Sequence, residues 1–271
     1  MAETGKSLRN ASEEGSSSFF HTPLCLQQET TTCHSNAQHH DQITPNHLDR
    51  ALLRLVPDHP VAKAALDIAL RTLSPAILNH SLPTYIYAKS YSSLLQREPA
   101  PTGVSIEPVF LEPHTLFVAC LFHDLATGPE YDADATRFEV VGAQEAAKLL
   151  RKFGVGEASI REAWLAMSLH STPGVAEHLS GTTGAFRRAI RAEFGGFCGP
   201  ELKEANPELQ ESDLEIIQER LPRLDIEKVL GDAVVRQALQ NRAKAPVASW
   251  PGQLLVSHDA NPGWEGVNRA F

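Results

Sequence analysis

Nowhere in this chain do apolar residues run on for the roughly 18 positions that a membrane-spanning helix needs. Basic residues are also in deficit: 24 Lys and Arg stand against 33 Asp and Glu, a net charge of −9. Such a balance gives no general attraction to nucleic acid or to an anionic membrane. Cysteine is scarce and scattered (Cys25, Cys33, Cys120 and Cys198), without the paired spacing of a zinc finger or a disulfide framework. A reducing, cytoplasmic setting is therefore expected. Near the start, Phe19 and Phe20 sit among serines with no apolar run behind a positive end, so no signal peptide is expected. Alternating strand patterns are almost absent, and no internal repeat is visible. What remains is 42% hydrophobic and 21% charged over 271 residues, enough to bury the core of one large domain or two small ones.

Residues 1–45 are rich in Ser, Thr, Glu, Gln, Asn and His and poor in aliphatics. They bury too little apolar surface to offset the entropy of ordering, so a disordered polar tail is expected there. His34, His39 and His40 within it read as chance histidines rather than a metal tract. The body, 46–271, reads as all-α. Apolar residues recur at helical spacing over 61–70, 84–95, 115–125, 137–153, 157–169, 185–194, 213–221 and 226–242. The segment 115–125 is apolar nearly all round, which marks a helix in the middle of the fold. From about Lys244 the chain turns to Pro, Gly and Trp and reads as a covering segment rather than a helix.

His123 and Asp124 stand side by side on that most apolar helix. Burying a carboxylate and an imidazole among Phe117, Val118, Ala119, Cys120, Leu121 and Phe122 is costly unless something pairs with them. A divalent metal, zinc or iron, does so directly, with further ligands drawn from other helices. His80 upstream, and His170 and Glu193 downstream, are available. A hydrogen-bonded, metal-free core pair is the bland alternative. A second His-Asp pair, His258-Asp259, lies in a turn-rich stretch and is not expected to form a site.

The stretches Asn79-His80-Ser81, Leu121-Phe122-His123-Asp124-Leu125, Thr136-Arg137-Phe138-Glu139-Val140-Val141-Gly142-Ala143 and Leu169-His170-Ser171 together resemble the HD-domain superfamily. The nearer likeness is to its cyanamide hydratase-like branch of fungal type, which the stretches 244–252 and 262–268 also resemble. The resemblance covers about residue 46 onward and implies an HD-type helical bundle with a metal. It implies ligands at His80, His123 and Asp124, and an acidic ligand late in the domain. Family members carry Asp there, and the nearest match is Glu193, one methylene longer. Similar sequences carry Arg three residues after the first histidine, where this chain has Pro83, so a carboxylate or substrate oxygen is expected to lose a cation. Two-metal members carry a histidine four residues before the Gly-Ala step, where Phe138 stands here. One metal is therefore expected, zinc before iron.

The activity implied is that of a hydratase or hydrolase. Hydroxide held on the metal would add to a small nitrile-like or amide-like substrate, with cyanamide to urea as the model reaction. Asp124, His170 and Thr136 are the catalytic candidates. His170 would serve as the acid–base group, unless it is merely a helix-terminal histidine. Thr136 either orients substrate or caps a helix in a box with Glu139, and the cap is favoured. Arg187, Arg188 and Arg191 read as a solvated helix face, although a phosphate-binding edge would look similar. Trp164, Trp250 and Trp264 read as packing anchors, His114 as a turn residue and His178 as a surface residue. Two other readings stand beside this one: an HD phosphohydrolase acting on a nucleotide, and a degenerate, non-catalytic HD domain. The partner expected is a small-molecule substrate, with no nucleic acid and no membrane; the oligomeric state stays open, a homo-oligomer included.

Overall fold

In the computed structural model, residues 50–97, 108–179, 181–195 and 211–261 are described. The polar tail, His34, His39, His40, Cys25, Cys33, Cys198, Trp264 and the stretch 262–268 lie outside them. The described residues form helices α1 (Arg50–Leu53), α2 (Pro60–Thr72), α3 (Pro75–Leu95), α4 (Pro113–Phe122) and α5 (Phe138–Lys152). After these come α6 (Glu157–Leu169), α7 (Gly181–Glu193), α8 (Glu211–Arg220), α9 (Ile226–Gln240) and α10 (Trp250–Ala260). Short 3₁₀ turns join several of them. No strand occurs among the described residues, and none of their helices is long and apolar enough to cross a membrane.

Two helices are buried on nearly all sides. In α4 every residue from Thr115 to Phe122 is buried, as its continuous apolar run requires. The other is α3, which packs against both α4 and α7. It begins nine residues earlier than its sequence pattern indicates, because Ser74 caps it by accepting from the Ile77 N–H and Pro75 fills the first turn. Pro83 sits inside this helix, where a proline removes one backbone donor. Burial on both flanks overrides that local penalty. The Ser81 and Thr84 hydroxyls donate back to the carbonyls of Ile77 and His80.

Helices α5 and α6 form an antiparallel pair around Gly154, whose φ of 75° takes the left-handed position after the α5 C-cap. The Val155 N–H bonds to the Leu150 carbonyl and the Gly154 N–H to that of Arg151, so the orphan carbonyls are met. The expected cap at Thr136 does not form. Arg137 is the N-cap, without a side-chain bond, and the Thr136 N–H goes to the Asp134 carboxylate.

The C-terminal stretch is a helix, contrary to the expectation of an irregular cover. Ser249 caps α10 by accepting from the Gly252 N–H, and Pro251 lies in the first turn, where it costs no hydrogen bond. Gly252 allows close approach, since a Cβ there would meet the Pro246 carbonyl at 2.0 Å. The covering role survives: Trp250 packs with Phe138, Ile226, Leu230 and Val234 in a second hydrophobic cluster beside the main core.

Candidate metal centre

The site begins where α4 ends. Neighbouring side chains on a regular helix diverge by about 100°, so His123 and Asp124 could not both face one point if α4 continued. Instead the helix stops at Phe122, and Asp124 adopts φ −107° and ψ 7°. That turn brings the Asp124 Oδ2 to 3.1 Å from His123 Nε2. The Thr127 hydroxyl donates to the Asp124 carbonyl and fixes the turn. Helix α5 closes over the same point at Gly142, where a Cβ would stand 2.5 Å from the Phe122 carbonyl oxygen.

From α3, His80 places its Nε2 3.0 Å from His123 Nε2 and 3.6 Å from Asp124 Oδ2. From the end of α6, His170 places its Nε2 3.5 Å from the other oxygen, Asp124 Oδ1. All four side chains are buried. His80, His123 and Asp124 each offer a ligand atom within 4.8 Å of the others, and His170 stands beside this group rather than in it.

The outer nitrogens decide what the inner ones can do. The Nδ1–H of His123 donates to the Cys120 carbonyl at 2.7 Å, and that of His170 to the Met167 carbonyl at 2.6 Å. His80 Nδ1 meets the Glu193 carboxylate at 2.5 Å. In its neutral form each ring therefore turns a lone pair inward. Both Asp124 oxygens are buried without a hydrogen-bond partner among the described residues. Lone pairs and an unsatisfied carboxylate facing one point repel one another unless a cation lies between them. The donor set suits zinc or iron.

The protonation preferences differ among the three groups. Burial pushes the His123 imidazole below its usual value and keeps its lone pair free. Burial alone would raise the Asp124 carboxyl, but the His123 and His170 rings beside it hold it well below the usual carboxylate range. Burial also opposes charge on His80, yet the Glu193 and Asp124 carboxylates outweigh it and raise that imidazole.

Glu193 is not brought to the centre. Its longer stem carries the carboxylate to the outer nitrogen of His80, and Arg223 Nη1 meets its second oxygen at 2.8 Å. The cation expected to be missing at Pro83 is thus supplied to this carboxylate from another element. Thr136 is half-buried, and its bonds go to other residues. Its hydroxyl and N–H serve Asp134, and its carbonyl accepts from the buried Lys244 ammonium at 3.0 Å. Phe138 lies edge-on to His170, with ring centroids 5.8 Å apart, and offers no atom that could ligate a metal.

Arg187 does not lie on a solvated face: it is buried, donating to Glu177 and to the His170 carbonyl. Arg188 is half-buried and Arg191 exposed. His178 is exposed, Trp164 half-buried and Trp250 buried. His114 opens α4, stacked on His59. His258 and Asp259 lie in the last turn of α10, where Asp259 pairs with Arg242 at 2.9 Å.

Two residues, Glu139 and Arg223, were missed from the sequence. Glu139 is fully buried, accepts from the Ser171 hydroxyl and forms a two-pronged ion pair with Arg137. Its signal was present, because Glu139 falls in the apolar stripe of α5 with Gly142, Ala143, Ala146 and Leu150. Arg223 had none, being thirty residues beyond Glu193 in an irregular turn.

No curated protein matches the chain. A family model described as HD domain matches residues 77–227, which take in α3 through α8, His80, the His123-Asp124 turn, His170 and Glu193. With more than half its length matched, and an all-α body built around a buried His-His-Asp cluster, the chain belongs to the HD domain family.

Proposed function

We propose that this protein is a mononuclear metal-dependent hydratase or hydrolase of the cyanamide hydratase type. It would act on a small nitrile-like or amide-like substrate, with cyanamide to urea as the model reaction. One observation carries the reading: ring nitrogens of His80 and His123 converge on an Asp124 carboxylate whose oxygens have no hydrogen-bond partner among the described residues. These three residues would hold a single divalent cation, zinc before iron. When bound, that cation supplies the Lewis acidity that activates water at neutral pH and stabilises negative charge.

The chain's own residues do the rest. In its neutral form His170, with its Nδ1–H committed to the Met167 carbonyl, turns its Nε2 lone pair toward Asp124. It can take a proton from the attacking water and return it to the former nitrile nitrogen. For a nitrile the balance closes without a leaving group: a C–O bond forms, one C–N π pair moves to nitrogen, nitrogen gains the proton, and a second proton then shifts from oxygen to nitrogen to give the amide. Phe138, Phe186 and Phe194 flank the histidines and keep bulk water out.

Burial favours a small neutral substrate over a nucleotide. The nearby guanidinium groups are engaged, Arg187 with Glu177, Arg223 with Glu193 and Arg137 with Glu139, which leaves a phosphate poorly served. Phe138 beside His170 supports one metal rather than two.

The test joins elemental analysis of purified protein to two substrate panels, nitriles and amides against nucleotides with Mn or Co added. One equivalent of metal with ammonia or urea released is the expected result. Phosphate release from a nucleotide would favour the phosphohydrolase reading, and protein unable to take up metal would favour a non-catalytic domain.

A further inference from the structure

Glu193 could orient His80 only if it were itself held, and a half-exposed arginine from the turn before α9 holds it. Arg223 Nη1 donates to Glu193 Oε1 at 2.8 Å and to the Glu193 backbone carbonyl, at the end of α7, at 2.6 Å. Its other nitrogen pairs with Glu227, and its guanidinium lies over the Phe194 ring at 5.5 Å. Phe194 in turn packs against the His80 ring, with centroids 4.7 Å apart. One side chain thus touches both the carboxylate and the aromatic ring that fix the His80 imidazole.

The backbone that presents Arg223 is unusual. Leu224 and Asp225 have φ of 50° and 54°, the only described non-glycine residues in the left-handed region. Two consecutive L residues there are unfavourable and persist only where the surroundings over-determine them. The surroundings do so here: the Asn79 amide of α3, next to His80, donates to the Pro222 carbonyl at 2.8 Å. The helix that supplies the histidine also anchors the turn that supplies the arginine.

From this geometry we infer that Arg223 is a positioning residue of the metal centre, acting through Glu193 to orient the His80 ring and set metal affinity. The relay runs Arg223 to Glu193 to His80 Nδ1, leaving Nε2 aimed at Asp124. A carboxylate on the outer nitrogen of a ligating histidine fixes its tautomer and raises its basicity, and loss of such a partner weakens metal binding some 10- to 100-fold.

The inference rests on the proposal that His80 ligates a metal, and the measurement separates the two. Zinc affinity of the full chain is read by competition with a chromophoric chelator, and the cobalt-loaded protein gives a visible spectrum that reports ligand orientation. Arg223→Met keeps the stem but removes the charge. It is expected to bind zinc roughly 10- to 100-fold more weakly, with a shifted cobalt spectrum and a melting temperature close to that of wild type before metal is added. Arg223→Lys keeps charge without the planar fork and should fall between, which also covers the case in which Arg223→Met does not fold. In the Glu193→Gln background, Arg223→Met should cost little more, because both changes cut one relay. Wild-type affinity and spectrum in both arginine variants would overturn the inference while leaving the metal reading intact. A wild-type chain that takes up neither zinc nor cobalt would overturn the metal reading beneath it.

Discussion

Asp124 meets two conflicting demands in a chain without metal. It is ionised, because His123 and His170 hold its carboxyl low against the effect of burial, yet neither oxygen accepts a hydrogen bond from a described residue. A buried carboxylate left without a hydrogen bond costs on the order of a few kcal/mol. Asp124→Asn removes the charge and adds an N–H₂ donor facing the histidine lone pairs. In chelator-treated protein the variant should therefore melt above wild type, by roughly 5 °C, while taking up no zinc. Equal melting temperatures, or normal zinc content in the variant, would refute the assignment. At this scale the sequence was informative where polarity and burial conflict: His123-Asp124 stands out because it interrupts an apolar run. It was uninformative about Glu193, since no local pattern tells which nitrogen of His80 a carboxylate reaches.

The helices matter through how closely they approach. Gly142 lets α5 lie against the last carbonyls of α4, and a methyl group there would press on the Phe122 oxygen at 2.5 Å. Gly142→Ala should destabilise the fold by about 1–3 kcal/mol and lower zinc affinity too, because the displaced backbone carries His123. Unchanged urea unfolding would show that the helices part freely. A second junction is sensitive to acid. His59 caps α2 through its Nδ1, and its ring stacks on His114 in the first turn of α4, with centroids 4.0 Å apart and planes 12° from parallel. Burial, then the neighbouring His59, holds the His114 imidazole below its ordinary value. The unfolded chain therefore binds the proton more readily. The contribution of this junction is fully present above about pH 6.5 and is lost as pH falls from there toward the lower folded value. Melting temperature should fall less between pH 7.5 and 5.5 in His114→Gln than in wild type; parallel profiles would exclude the effect. Helix interiors were legible from periodicity, whereas α10 was not. Its Pro251 and Gly252 read as breakers, but in a capped first turn both are tolerated.

For the molecule as a whole, a metal that binds the folded chain alone stabilises it by mass action, about 2.7 kcal/mol at a free concentration one hundred times its dissociation constant. Zinc should raise the melting temperature in step with its concentration in wild type and leave His123→Ala unmoved; a flat response in wild type would count against a centre that forms only on folding. Distant segments meet at this centre: His80 from α3, His123 and Asp124 after α4, His170 after α6, and Arg223 before α9. Such convergence cannot be read from local pattern, which is why the HD turn was legible and its arginine was not. The burial of His80, His123 and Asp124, each exposed by 1% or less, also has a kinetic meaning. A chelator cannot touch an ion seated there until the helices part, so the protein and not the reagent sets the pace of stripping. Above a modest concentration of chelator, the rate of metal loss should level off at the opening rate of the fold. A rate that keeps climbing in proportion to chelator would mean the centre lies open to solvent on the timescale of the assay.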